Sequence, residues 1–147
     1  MVSAASPALT VPQALVDAML EHARMELPNE ACGVLSGSLA EGRAVAFHPA
    51  RNADESPLRY NVDPDDLVRI TFEIEDAGAD LLGIFHSHVA SPAVPSPTDR
   101  RQAFYPDAFY VLASLSDADR PEVRAWRIRD GSVEEAELTV EPVGAVR

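Results

Sequence analysis

Two histidines one residue apart, His86 and His88, close the apolar run "DLLGIFHSH", and Ser96 and Asp99 follow soon after. Alternate residues of a strand project to one face, so His86 and His88 point together while Ser87 points away. Two converging imidazoles suit zinc, which takes histidine nitrogen at about 2.0–2.1 Å and favours four ligands. Asp99 can fold back across the loop "VASPAVPSPT" as a third donor. Two histidines, one carboxylate and an open position for water are the donor set of a catalytic zinc site. Such a site also needs a base. Glu30, in "LPNEACGVLSG", sits where a helix gives way to a strand, and a glutamate there could pass a proton from water to a leaving amine.

Each of these residues also has a plainer reading. Ser96-Pro97-Thr98-Asp99 is a respectable capping box, with serine as N-cap and proline in the first turn. A cap and a ligand are compatible, since the cap fixes the helix that presents Asp99. The histidine pair could simply be hydrogen-bonded at a strand end, and Glu30 could be a surface glutamate at a helix end. Other families with the His-x-His pattern do not fit. Metallo-β-lactamases continue it into HxHxDH, but His88 is followed by "VAS". Cupins need a glutamate a few residues later, and amidohydrolases need a barrel of about 250 residues. Cys32 raises the rival of a thiol peptidase, but a reactive thiol needs an electropositive, accessible setting. Cys32 lies among apolar residues close to Glu30, which favours a buried structural thiol. His22 and His48 have no partner pattern and read as ordinary helix and strand residues.

The elements that must position these groups are legible in outline. "TVPQALVDAMLEHARMELPNE" reads as a helix that starts at Thr10 or Val11 and stops at Pro28, with Val16, Leu20, Ala23 and Leu27 on one face. "ACGVLSG" is a short strand ended by Gly37, and "GRAVAFHPARN" is a second strand. "DPDDLVRITFEIEDAGA" is the clearest helix. Asp63 caps it, Pro64 opens it, Asp65 and Asp66 oppose its dipole and Gly78 terminates it. Leu67, Ile70, Ile74 and Ala77 form its stripe. "DLLGIFHSH" is a buried strand, and "SPTDRRQAF" a short helix. "AFYVLASL", "EVRAWRI" and "EEAELTV" are three further strands, with Asp130-Gly131 as a hairpin signal. The mixture predicts a single α/β or α+β domain around one sheet. Residues 1–10 are expected as a flexible lead-in, 11–141 as the domain and 142–147 as a tail.

The 147 residues suffice for one real core. No apolar run approaches the roughly 20 residues that span a bilayer. A net charge of −12 repels phosphate backbones and anionic membranes, so neither nucleic acid nor membrane is an expected partner. All twelve basic residues are arginine, which excludes a Schiff-base lysine. One cysteine excludes an internal disulfide and a multi-cysteine metal site. The start "MVSAASPALTVPQ" is a poor signal peptide, and a cytoplasmic location fits.

Taken together, Glu30 in "NEACG", then His86-x-His88, seven residues, Ser96, two residues and Asp99, resembles the JAMM (MPN+) metalloprotease signature without a gap. The resemblance extends from about Val11 to Val140. "EACGVLSG", "NADESPLRY", "FHSH", "PSPTD", "DAFYVLASL" and "RAWRIRDG" look particularly like the small bacterial Mec branch, whose members trim cysteine from the C-terminus of a ubiquitin-like sulfur carrier protein. The resemblance implies an MPN/JAMM-like domain with a mixed, mostly antiparallel sheet flanked by helices. It implies zinc on His86, His88 and Asp99, Glu30 as general base and acid, and the Ser96 hydroxyl beside the oxyanion. It implies cleavage after a carrier's C-terminal Gly-Gly, with the tail extended beside the sheet, and leaves room for a homodimer. The alternatives within it are an isopeptidase on protein conjugates, like a desampylase or deubiquitinase, and a non-catalytic MPN scaffold. One position departs from many family members, which have proline where this chain has Val89. The segments after Arg51 and after Ser116 are short, which argues against a linkage-specific deubiquitinase.

Overall fold

The computed structural model describes residues 7–144. Seven strands and three helices follow one another as β1 (Ala8–Pro12), α1 (Gln13–Met25), β2 (Cys32–Ser38), β3 (Arg43–Ala50), α2 (Pro64–Asp76), β4 (Asp80–His88), α3 (Pro97–Arg101), β5 (Phe109–Ser114), β6 (Glu122–Arg129) and β7 (Ser132–Glu141). The sheet closes into a barrel in the order β1-β3-β2-β4-β5-β6-β7. Pairing is antiparallel at β2–β3, β2–β4, β5–β6 and β6–β7, and parallel at β1–β3, β1–β7 and β4–β5. The mixed, mostly antiparallel sheet is thus as expected, but it has no open edge between its first and last strands.

The strand that closes it is the main departure from the sequence reading. Residues 8–12 are neither lead-in nor helix start. They pair in parallel with Glu137–Glu141, and Leu9 and Val11 alternate inward. The helix begins one residue after Pro12, whose ring supplies no N–H to the strand. Residues 1–6 of the expected lead-in, and 145–147 of the expected tail, lie outside the described residues. Helix α1 also stops earlier than Pro28, at Met25, so Leu27 is exposed and Met19 joins Val16 and Ala23 on the buried face. Gly37 does not end β2. It lies inside the strand at a register shift, where a Cβ would collide with the Arg43 carbonyl.

The two faces of the sheet carry separate cores. One gathers Leu9, Val11, Phe85, Phe109 and Val111 around Val16 and Met19 of α1. The other packs Val34, Ile84, Tyr110, Leu112 and Trp126 against Ile70 and Ile74 of α2. Burying a side chain of this size stabilises by about 1.5–3 kcal/mol, so both helices are held by their apolar stripes. Helix α2 is built as its sequence dictates. The Asp63 side chain accepts from the Asp66 N–H, Pro64 opens the first turn, and Gly78 follows the helix at φ +67°. Asp130 and Gly131 both take positive φ in the β6–β7 turn, as the hairpin signal requires. His22 and His48 tie helices to the sheet. His22 Nε2 lies 3.0 Å from the Cys32 carbonyl, and His48 bridges Ser36 Oγ at 2.9 Å and Glu73 Oε1 at 3.1 Å. No helix among the described residues is long and apolar enough to cross a membrane.

Candidate metal centre

Strand β4 ends with Ile84, His86 and His88 on the face that packs against α2, because alternate residues share a face. Its neighbours are β2 and β5, with Cys32 and Leu112 flanking His86. A side chain in the middle of a sheet is shielded on both sides, so His86 is fully buried and His88 is 3% exposed. Ser87 points the other way and accepts the Ala31 N–H at 2.8 Å, while its own N–H donates to the Ala31 carbonyl at 3.0 Å. Those two bonds fix the start of β2 against the end of β4. They place Glu30, one residue before Ala31, beside the histidines.

The capping-box reading of Ser96 and Asp99 holds in full. Ser96 Oγ accepts the Asp99 N–H at 3.0 Å, and Asp99 Oδ2 accepts the Ser96 N–H at 2.9 Å. The same side chains are also placed so that they are compatible with a metal site. The same Asp99 Oδ2 lies 3.1 Å from His86 Nε2 and 3.0 Å from His88 Nε2. The three ligand atoms all lie within 4.8 Å of one another, and all three residues are buried. Donors about 2.0–2.1 Å from a tetrahedral zinc stand roughly 3.3 Å apart, close to the two separations from Asp99.

Hydrogen bonding sharpens the fit. His88 Nδ1 lies 2.7 Å from the Pro92 carbonyl, an acceptor only, so Nδ1 carries the proton and donates it. In the neutral ring Nε2 then turns a lone pair toward Asp99. Nε2 of His86 faces Asp99 at 3.1 Å, but its Nδ1 reaches no hydrogen-bond partner among the described residues, and Glu30 Oε1 is likewise buried and unpartnered. Acceptor atoms converging in a buried site need positive charge between them, from protons on the rings or from one cation. For Asp99, burial alone would raise the pKa, but the two imidazoles hold the carboxyl well below the usual carboxylate range. Burial depresses His86. Burial also pulls on His88, but its bonds to Asp99 and Pro92 prevail and raise it.

Glu30 is 3% exposed, so it is not the surface glutamate that its local sequence allowed. Its N–H donates to the Ser56 carbonyl at 2.8 Å, and its carbonyl accepts from Asn52 Nδ2 at 3.0 Å. The backbone is therefore fixed without help from the carboxyl. Burial pushes that carboxyl up to about 8; His88 pulls it down and Asp99 raises it further, so it feels the field of both. Burial also pushes the Cys32 thiol up to about 12, and its Sγ lies 3.4 Å from the Arg51 carbonyl. A thiol that stays protonated in a buried, acidic setting is no nucleophile.

Two further contributors carried no motif. Asn52 is buried, and its side chain makes four bonds. It donates to the carbonyls of Glu30 and Arg59 and accepts from the N–H groups of Asp54 and Asn61. Tyr60, between two of those anchors, stacks on the His86 ring at 4.2 Å between centroids. The signal available for them was weak: an Asn followed by a short polar loop, and an aromatic just before a helix cap. A cavity of about 400 Å³ opens beside Tyr60, with Val62, Leu67, Ile84, Tyr105 and Tyr110 among its walls.

Comparison with known proteins identifies the family. The family described as prokaryotic homologs of the JAB domain matches residues 12–129. The CysO-cysteine peptidase of Mycobacterium tuberculosis is 44% identical over 132 residues, covering 90% of this chain and 87% of that protein. The desampylase of Haloferax volcanii is 41% identical over 103 residues, covering 67% of this chain and 74% of that protein. The solution structure of a Desulfitobacterium hafniense protein superposes with a TM-score of 0.84 at 34% identity, over 91% of this chain and 93% of that one. The chain belongs to the prokaryotic JAB-domain family.

Proposed function

We propose that this chain is a zinc peptidase that hydrolyses the bond after the C-terminal Gly-Gly of a ubiquitin-like sulfur carrier, releasing cysteine or another small addition. The observation that carries the chemistry is the convergence of His86, His88 and Asp99, with the unpartnered carboxyl of Glu30 buried beside them. The substrate reading is supported by the similarity to the CysO-cysteine peptidase over nearly the whole chain.

His86 Nε2, His88 Nε2 and an Asp99 carboxylate oxygen would hold the zinc, which when bound supplies Lewis acidity at the scissile carbonyl. The chain's own groups do the rest. The Glu30 carboxylate takes a proton from the attacking water and gives it to the amine nitrogen as the carbon–nitrogen bond breaks. A carboxyl raised by burial is suited to that return of the proton, and a nearby dication draws its pKa down toward the working range. Ser96 Oγ spends one lone pair on the Asp99 N–H, which leaves its O–H free to donate to the developing oxyanion. Glycines before the scissile bond let the substrate backbone approach closely.

Ser96→Ala is expected to cost about 1 kcal/mol of stability through the lost cap, and about 10²-fold in kcat through the lost donor. Thermal unfolding and turnover per folded molecule separate the two. A stability loss with unchanged kcat would confine Ser96 to capping.

Mass spectrometry tests the substrate. Zinc-loaded protein is incubated with a carrier–cysteine conjugate and, separately, with di-ubiquitin. Loss of one cysteine mass from the carrier, with di-ubiquitin largely intact, is the expected result. The 51–63 segment folds back on itself through Asn52 and the Asn52–Val62 bridge, and offers no long arm to grip a second folded domain. Rapid cleavage of di-ubiquitin with an untouched conjugate would favour the isopeptidase alternative, which the desampylase similarity keeps in view.

A further inference from the structure

The two candidate histidine ligands are steadied in different ways. His88 donates from Nδ1 to the Pro92 carbonyl at 2.7 Å, which fixes both its tautomer and its ring plane. His86 has no such bond: its Nδ1 is buried and reaches no partner among the described residues. Instead one face of its ring lies against Tyr60, with centroids 4.2 Å apart and planes 18° from parallel. His88 meets it edge-on at 5.1 Å. Its Nε2 faces Asp99, but with Nδ1 unbonded only packing resists rotation of the ring about χ2, a broad torsion in histidine.

Tyr60 is itself held on both sides. The carbonyl of Arg59 accepts from Asn52 Nδ2 at 3.0 Å, and the N–H of Asn61 donates to Asn52 Oδ1 at 3.0 Å. The same Asn52 amide holds the Glu30 carbonyl. One buried amide thus pins both the backbone of the proposed base and the residue whose ring faces His86. Tyr60 also borders the 400 Å³ cavity, so removing its ring would open room for His86 to swing away from Asp99.

We propose that Tyr60 is a positioning residue for the metal centre, its ring setting the plane of His86 in place of the hydrogen bond that Nδ1 of His86 lacks. This rests on the zinc reading of the site. It predicts that the ring matters and the hydroxyl does not. Tyr60→Phe should bind zinc as wild type does, whereas Tyr60→Leu should bind it about 10–100-fold more weakly, the range seen when an outer partner of a ligand is lost.

The measurement is zinc affinity by competition with a chromogenic chelator, together with circular dichroism of the chelated proteins. Tyr60→Met keeps apolar bulk without a ring and takes the place of Tyr60→Leu should that variant fail to fold. Weak binding in a folded ring-less variant with full binding in Tyr60→Phe supports the proposal. Wild-type affinity without the ring overturns it, as does equal weakening in Tyr60→Phe. Absence of zinc from the wild-type chain itself would overturn the metal reading along with it, whereas wild-type zinc with no effect of the ring overturns only the role of Tyr60.

Discussion

Glu30→Gln is expected to keep its fold and one zinc per chain, and to lose about 10²- to 10⁴-fold in kcat, the usual worth of a general acid–base. The amide matches the carboxyl in size but cannot accept the water's proton. The backbone at Glu30 is tied to Ser56 and Asn52 through its own N–H and carbonyl, so the substitution leaves the framework alone. Steady-state turnover with zinc content measured on the same sample reads the effect, and a loss below tenfold would point to another base. Stability offers an independent check in the chelated protein. Burial moves the Glu30 carboxyl from its ordinary 4.5 to about 8. Between those values the folded chain retains a proton that the unfolded chain has released, so rising pH favours unfolding. Glutamine carries no such proton. Glu30→Gln should therefore gain stability relative to wild type as pH rises from 4.5 to 8, and hold that gain above. Denaturation at a series of pH values measures it, and a gap that stays flat across that window would mean the carboxyl is not buried as described.

What the sequence made legible was local or periodic. Strand alternation alone put His86 and His88 on one face and Ser87 on the other. The serine–aspartate spacing alone announced the cap that the structure contains. Helix α2 could be read almost to the residue because its cap, proline, acidic turn and terminal glycine all lie within its own segment. The rest depends on partners distant in the chain. Glu30 reads locally as an exposed helix-end glutamate; it is buried because β2 lies beside β4, more than 50 residues later, and because the 51–63 loop covers it. Strand β1 is five residues long, and its alternation of Leu9 and Val11 is too brief to stand out beside a strong helix. Its pairing with β3 and with β7, at the other end of the chain, makes it a strand. Tyr60 belongs to no motif, and stacking against a ring 26 positions away leaves no periodic trace.

His88→Ala is expected to remove both zinc and turnover, which distinguishes a ligand from the base at Glu30. Two remaining donors leave the ion with too few protein ligands for a tetrahedral site. The substitution also deletes the bond to Pro92 and takes one of two imidazoles from the Asp99 carboxylate. A buried carboxylate deprived of a partner is destabilising, so some loss of stability belongs to the metal-free chain and must be separated from the loss of zinc. Zinc titration followed by thermal unfolding does this without any activity assay. A ligand that binds only the folded chain stabilises it by about 2.7 kcal/mol at one hundred times its Kd. Wild type should therefore rise in Tm as zinc is added, while His88→Ala should start lower and stay flat. Asp99→Ala should behave likewise and start lower again, because the oxygen that faces the two histidines also accepts the Ser96 N–H of the capping box. A His88→Ala protein that still rises with zinc as wild type does would mean that the ion sits elsewhere. The convergence of the three side chains would then be an ion pair made by protons alone.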